Sequence, residues 1–207
     1  GEINSVKKDP ADVDARFAFC FPDLYEIGMS YLGMQILYKT LNDREKIYCE
    51  RVFAPGVDME ALMREENMPL MTLETKTPLG EMDFVGFTLQ YEMSYTTVLN
   101  MMDLAQLPLK AADRAASEKE YPLVVAGGPC ALNPEPLADF IDMFFIGDGE
   151  VVLPAVVELY GECKKKGLSR EVFYREACKM DGVYIPSLYD VTYNEDGTIK
   201  ELCKLHD

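Results

Sequence analysis

The stretch RFAFCFPDLYEIGMSYLGMQILYKTLN, residues 16–42, decides the architecture. Arg16 to Phe21 is an apolar run of strand length, and Pro22-Asp23 stops it because proline cannot donate to a strand ladder. From Met29 to Asn42 the apolar residues Met29, Leu32, Ile36, Leu37 and Leu41 recur at helical intervals, so the spacing predicts a helix after the loop between Pro22 and Gly28. Strand, loop and helix in that order make the first half of a parallel crossover unit.

The pattern repeats downstream. Ile47 to Phe53 reads as a second strand, and Val57 to Glu66 as a short helix with Asp58 in its first turn, where a carboxylate suits the positive end of the helix dipole. Met71 to Glu74 reads as a short third strand, ended by Pro78-Leu79-Gly80. Phe84 to Leu89 is continuously apolar and is predicted to be a central strand covered on both faces. A helix follows from Ser94 to Leu107, stopped by Pro108, then a charged, solvent-exposed connection from Lys110 to Glu120. Leu123 to Ala126 and Met143 to Ile146 supply the last strands, and Val151 to about Lys165 a long helix.

Strands alternating with helices predict an α/β fold: a Rossmann-like open parallel sheet with helices on both faces, spanning residues 16–167. Residues 1–15 read as a polar leader. Residues 168–207 read as an appendage leading toward a neighbouring domain. It comprises a helix from Arg170 to Lys179 and a hairpin whose arms, Leu188–Tyr193 and Thr198–Leu202, flank the turn Asn194-Glu195-Asp196-Gly197.

The 207 residues are 48% hydrophobic, enough for one sizeable core. With 20 Lys and Arg against 36 Asp and Glu, the formal net charge of -16 repels a nucleic-acid backbone or an anionic membrane surface. Lys164-Lys165-Lys166, the one basic run, falls at the end of a predicted helix, where it complements the negative dipole end. No apolar stretch is long enough for a transmembrane helix and the N-terminus carries no secretory pattern, so a cytoplasmic protein is expected. The chain opens on Gly1 rather than Met, which reads as an excised fragment or a cleaved tag. The six cysteines lie 15 or more residues apart and read as free, mostly buried thiols, with no spacing for a compact zinc or iron-sulfur site.

In an open parallel sheet, ligands sit beyond the carboxyl ends of the strands, where helix N-termini point backbone N–H groups outward. Four loops there carry unusual residues: Asp23-Leu24-Tyr25-Glu26-Ile27-Gly28, Thr88-Leu89-Gln90-Tyr91-Glu92, Gly127-Gly128-Pro129-Cys130 and Gly147-Asp148-Gly149-Glu150. Glycines directly after a strand either form a tight turn or let a bulky ligand approach the backbone. Glu26, Glu92, Asp148 and Glu150 offer a carboxylate cluster, although Glu150 also suits the start of the following helix. Tyr25, Tyr91 and Tyr95 offer rings for stacking, and Met93, Met101 and Met102 read as core filler. His206, the only histidine, reads as a surface residue of the tail.

The run Gly127-Gly128-Pro129-Cys130-Ala131-Leu132-Asn133-Pro134-Glu135, followed by Phe140-Ile141-Asp142 and by Phe145-Ile146-Gly147-Asp148-Gly149-Glu150, resembles the end of the cobalamin-binding-like domain of radical S-adenosylmethionine proteins. There a G-G-P-H-like turn, a P-E pair and a G-E-G-E turn recur in this order. The likeness covers roughly residues 16–165 and is greatest to a bacterial group with this domain at the N-terminus. Asp23-x-Tyr25-x-x-Gly28 is similar to the D-x-H-x-x-G of cobalamin domains, with Thr88 where their Ser stands and Gly127-Gly128 as their G-G pair. The resemblance therefore implies a cofactor-binding set of Asp23, Tyr25, Gly28, Thr88, Leu89, Gly127, Gly128, Pro129, Gly147, Gly149 and Glu150. Tyr25 takes the place of the cobalt-ligating His, so cobalamin held here would be His-off.

It further implies a C-terminal radical barrel in the full-length chain, carrying a 4Fe-4S cluster and S-adenosylmethionine, with this chain a non-catalytic fragment. The rival expectation is a ligand-free domain that packs against the barrel. A self-contained nucleotide or flavin enzyme is disfavoured, because no G-x-G-x-x-G follows the first strand and neither a phosphate loop nor a G-x-S-x-G elbow is present.

Overall fold

A computed structural model describes residues 4–205 and builds the α/β architecture that the alternation predicts. In chain order it runs β1 (Ala15–Phe21), α1 (Tyr25–Gly28), α2 (Leu32–Asn42), β2 (Ile47–Phe53), α3 (Val57–Glu65), β3 (Phe84–Thr88), α4 (Tyr95–Leu104) and α5 (Ala111–Ala116). There follow β4 (Leu123–Gly127), β5 (Met143–Phe145), α6 (Gly149–Lys165), α7 (Arg170–Ala177), β6 (Val183–Tyr184), β7 (Tyr189–Tyr193) and β8 (Ile199–Lys204). The main sheet has the order β2-β1-β3-β4-β5-β6; its first five strands are parallel and β6 joins antiparallel at the edge. β7 and β8 pair as a separate hairpin.

Strand alternation sends the two sheet faces into two cores. Ala15, Phe17, Phe19 and Phe21 of β1 pack with Met34 and Leu41 of α2, Val156 and Val157 of α6, and Phe173 of α7. Ala18 and Cys20 turn the other way, to Met63 of α3 and Val98, Met101 and Met102 of α4. The tail is part of the first core, where Phe173, Ala177, Val183, Ile185 and Leu188 are all buried. All six cysteines are free, with Cys20, Cys49 and Cys163 buried. His206 lies outside the described residues.

Four expectations need correction. Met71 to Glu74 is not a strand: it makes one isolated bridge, Met71 with Pro78. Its polar groups are drawn elsewhere, the hydroxyl of Thr72, with that of the following Thr75, onto the buried carboxylate of Glu50 and Glu74 onto the guanidinium of Arg51. The connection from Lys110 to Glu120 is mostly exposed as expected, but it contains α5, and Arg114 turns inward to the carbonyls of Pro108, Leu109 and Phe140 and to Asp142. The first long helix begins at Leu32 rather than Met29, since Tyr31 is extended at φ −83°, ψ 113° and separates the single turn of α1 from α2. Met93 is 85% exposed while Met101 and Met102 are fully buried, so only the latter two fill core.

Candidate functional site

The strand order 2-1-3-4-5 places the topological switch between β1 and β3, and a crevice opens there at the carboxyl edge. It is a pocket of about 160 Å³ between the starts of α2 and α6. Phe17, Phe19, Val125, Phe145, Leu37 and Leu153 form its apolar floor and sides, with Tyr31, Thr88 and Gln90 among the polar lining. Six lining residues are glycines: Gly33, Gly86, Gly127, Gly128, Gly147 and Gly149.

The glycines are there for different reasons. Gly127 ends β4 in register with Thr88 and Phe145, and alternation from Leu123 and Val125 turns its missing side chain toward the pocket. A Cβ at Gly127 would lie 3.5 Å from Phe145, ordinary contact, so the space in front of it is real. Gly128 has φ +105°, and a Cβ there would lie 2.8 Å from the Leu89 carbonyl oxygen. That carbonyl accepts from the Cys130 N–H, while the Leu89 N–H donates to the Gly127 carbonyl at 2.7 Å, so buried Leu89 pins the glycine turn in place. Gly86 admits the Phe17 ring, whose nearest carbon would sit 2.2 Å from a Cβ.

The pocket gathers Thr88, Gly127, Gly128, Pro129, Gly147, Gly149 and Glu150 from the residues singled out in the sequence. Asp23, Tyr25, Gly28 and Leu89 lie outside its lining. Tyr25 packs edge-on against Phe53, 5.2 Å between ring centroids, and is 39% exposed. Gly28 is a packing glycine, since a Cβ would lie 2.5 Å from the Phe53 ring. Asp23 accepts from the Tyr91 hydroxyl at 3.0 Å, a bond that ties the first loop to the second and pushes the Tyr91 phenol above its ordinary value. Burial raises Tyr95 as well, with the neighbouring Cys130 thiol adding to the shift. Tyr31, Gly33 and Gly86 were not singled out, and Gln90 was named only as part of the second loop; the signal for Gly86 was a glycine inside a central strand, which marks a close approach.

A chain of hydrogen bonds crosses the pocket: the Tyr31 hydroxyl donates to Gln90 Oε1 at 2.6 Å, and Gln90 Nε2 donates to Thr88 Oγ1. Among the described residues no basic side chain lines the pocket, and Asp148 and Glu150 supply its carboxylates. Among the described residues no group of three or more His, Cys, Asp or Glu side chains is placed to hold a metal ion. Nor is any described helix long and apolar enough to cross a membrane.

Exposed apolar side chains crowd this same edge. Leu24 and Ile27 after β1, Val57 after β2, Met93 after β3, Leu132 after β4 and Val151 after β5 all reach into solvent. A family model described as "Radical SAM proteins, N-terminal" matches residues 33–186, most of the chain and all strands of the main sheet after β1. No curated protein and no solved structure matches it.

Proposed function

Since the chain belongs to the family of N-terminal domains of radical S-adenosylmethionine proteins, we propose that it is the accessory domain that holds a corrinoid or related ring-bearing ligand at the carboxyl edge of its sheet. The observation that carries this reading is the glycine-walled pocket at the topological switch point, surrounded by exposed apolar side chains.

The residues present fit part of such a cofactor. An apolar cavity of roughly 150 Å³ takes a benzene-sized ring, so a pocket of about 160 Å³ suits the heterocycle of a nucleotide tail and not a macrocycle. Thr88, Gly127, Gly128, Pro129, Gly147, Gly149 and Glu150 would hold that ring, while Asp23, Tyr25, Gly28 and Leu89 would shape the loops around it. The macrocycle would be left to the apolar collar. The first loop offers Tyr25 and no imidazole, and a neutral phenol is a weak cobalt ligand, so the protein would bind the corrinoid without a His on the metal.

When bound, a corrinoid supplies methyl-transfer or one-electron chemistry at cobalt. The 4Fe-4S cluster and S-adenosylmethionine would belong to a radical domain of the same full-length protein, since the C-x-x-x-C-x-x-C spacing does not occur in this chain. That domain would dock over the apolar collar in the cytoplasm, the reducing compartment that suits six unpaired thiols.

Titration of the chain with hydroxocobalamin, followed by visible absorption and calorimetry, tests the reading. Saturable binding with a spectrum free of protein nitrogen coordination is expected. Absence of binding at high micromolar concentration would refute it and favour a domain that only packs against the radical barrel.

A further inference from the structure

Resting on the reading of this pocket as a ligand site, we infer that Tyr31 and Gln90 form a strap across its mouth, held closed while the pocket is empty and parted by an entering ligand.

The strap is built from both sides of the switch-point crevice. Tyr31 precedes α2 on the β1 side and Gln90 follows β3, and their side chains meet at 2.6 Å. The other end of the Gln90 amide is held by Thr88 Oγ1. A phenol can donate or accept, so the Tyr31 bond stands with the amide turned either way. Tyr31 is seated for this contact. A Cβ at residue 33 would lie 2.7 Å from its ring, so the glycine there lets the ring fold back, and the Phe21 ring supports it at 5.4 Å between centroids. The Gln90 amide lies over the glycine turn, 3.3 Å from where a Cβ on Gly128 would stand.

One residue further along, the same two loops are tied in the opposite sense, for Tyr91 donates to Asp23 at 3.0 Å. Each loop thus supplies one tyrosine hydroxyl and one acceptor. Exposure rises outward along these bonds, from Thr88 at 6% through half-buried Gln90 and Tyr31 to Tyr91 at 43%. They therefore span the opening and not the floor. The backbone beside them is fixed: Leu89 bonds to Gly127 and Cys130, and the Ser94 N–H and hydroxyl both donate to the Tyr91 carbonyl. Opening is then a swing of the Gln90 side chain, in which water replaces its neutral hydrogen bonds. One such bond shifts an equilibrium by roughly 2- to 10-fold, enough to favour the closed form without locking it. A ligand that needs the open form binds more weakly in proportion to the closed fraction.

A thiol on the pocket floor reads the strap without any ligand. Val125 lines the pocket and is 1% exposed, so Val125→Cys should be labelled only slowly by N-phenylmaleimide, whose ring must pass the mouth. Adding Tyr31→Phe, which removes the hydroxyl alone, should speed labelling at residue 125 by roughly 2- to 10-fold. Gly33→Ala, which displaces the Tyr31 ring, and Tyr91→Phe, which cuts the outer tie, should act in the same direction. Labelling of buried Cys20 and Cys49, followed in the same peptide mass spectra, should stay unchanged, which separates an opened mouth from a loosened fold. Stopped-flow mixing with hydroxocobalamin gives a second readout. Tyr31→Phe should associate faster by the same factor and dissociate at the parent's rate, so that losing a hydrogen bond tightens binding. Unchanged labelling at residue 125, acceleration shared by Cys20 and Cys49, or weaker hydroxocobalamin binding by Tyr31→Phe would overturn the strap. If labelling accelerates and hydroxocobalamin binds neither protein, the strap stands and the corrinoid reading falls. If hydroxocobalamin binds both while labelling is unchanged, the strap falls and the corrinoid reading stands.

Discussion

Alanine at Gly127 and alanine at Gly128 should have opposite consequences although the residues are neighbours. At Gly128 the backbone has φ +105°, and a Cβ would stand 2.8 Å from the Leu89 carbonyl oxygen, a backbone atom fixed by the Cys130 N–H. A non-glycine residue held in such a region costs about 1–3 kcal/mol. For a chain of this size each kcal/mol moves the melting point by roughly 2–4 °C, so Gly128→Ala should lower it by roughly 2–12 °C. At Gly127 the new Cβ meets Phe145 at 3.5 Å, ordinary contact in regular strand backbone. Loss of unfolded-chain freedom then favours the alanine by about 0.4–1 kcal/mol, and the melting point should hold or rise slightly. The added methyl projects toward a pocket of about 160 Å³ and takes on the order of 30 Å³ of it, the share of one water. Gly127→Ala should therefore weaken hydroxocobalamin binding in a protein that remains fully folded, and Gly127→Val should abolish it. Thermal melts by circular dichroism paired with the titration check both. A Gly128→Ala protein that melts with the parent, or a Gly127→Ala protein that falls as far as Gly128→Ala, would refute the division of labour between the two glycines.

Arg114 is sealed in the core with its guanidinium on three carbonyls and on Asp142 at 3.0 Å. Asp142 is held above the usual carboxylate range by burial, a shift that Arg114 and the Val124 N–H oppose. Arg114→Met leaves that carboxylate without its charge partner and should cost about 3–5 kcal/mol in urea unfolding; a loss under about 1 kcal/mol would contradict the buried-pair account. Burial pushes the Tyr48 phenol up from 10.0 to about 12. A pKa raised on folding contributes stability that is complete below the unfolded value and is lost as pH rises through the folded one. Stability should therefore hold to pH 10 and fall between pH 10 and about 12, with phenolate absorbance lagging that of the urea-unfolded chain; coincident titration curves would argue against it. Burial also raises the thiols of Cys20 and Cys49. Iodoacetamide at mildly alkaline pH should leave both unlabelled in the native protein, while the less buried Cys130 and Cys178 react. Labelling of Cys20 or Cys49 without unfolding, read by peptide mass spectrometry, would show that the core is open.

Much of this molecule follows from local chemistry. Arg16 to Phe21 and Phe84 to Leu89 are apolar runs that only a doubly covered sheet can bury, and Gly127-Gly128 after a strand marks backbone that must turn tightly or stay bare. What local pattern could not carry was the identity of distant partners. Met71 to Glu74 has strand-like composition, yet Glu50 and Arg51, more than twenty residues earlier, capture its polar groups and hold it as a loop. Lys110 to Glu120 reads as a solvated connection until Asp142 and three carbonyls draw Arg114 inward.

The site divides in the same way. Its four loops were legible because they follow strands, but a glycine looks alike in sequence whether it opens a pocket, as Gly127 does, or seats an aromatic ring, as Gly28 does against Phe53. Tyr25 and Thr88 fill matching positions of one motif, yet only Thr88 faces the pocket, because the single turn of α1 carries Tyr25 onto Phe53. The sequence by itself determined the parallel sheet and the edge at which a ligand would sit, since both depend on contiguous residues. Tertiary structure alone decided which side chains line the cavity, since that depends on where separate strands and helices bring their neighbours.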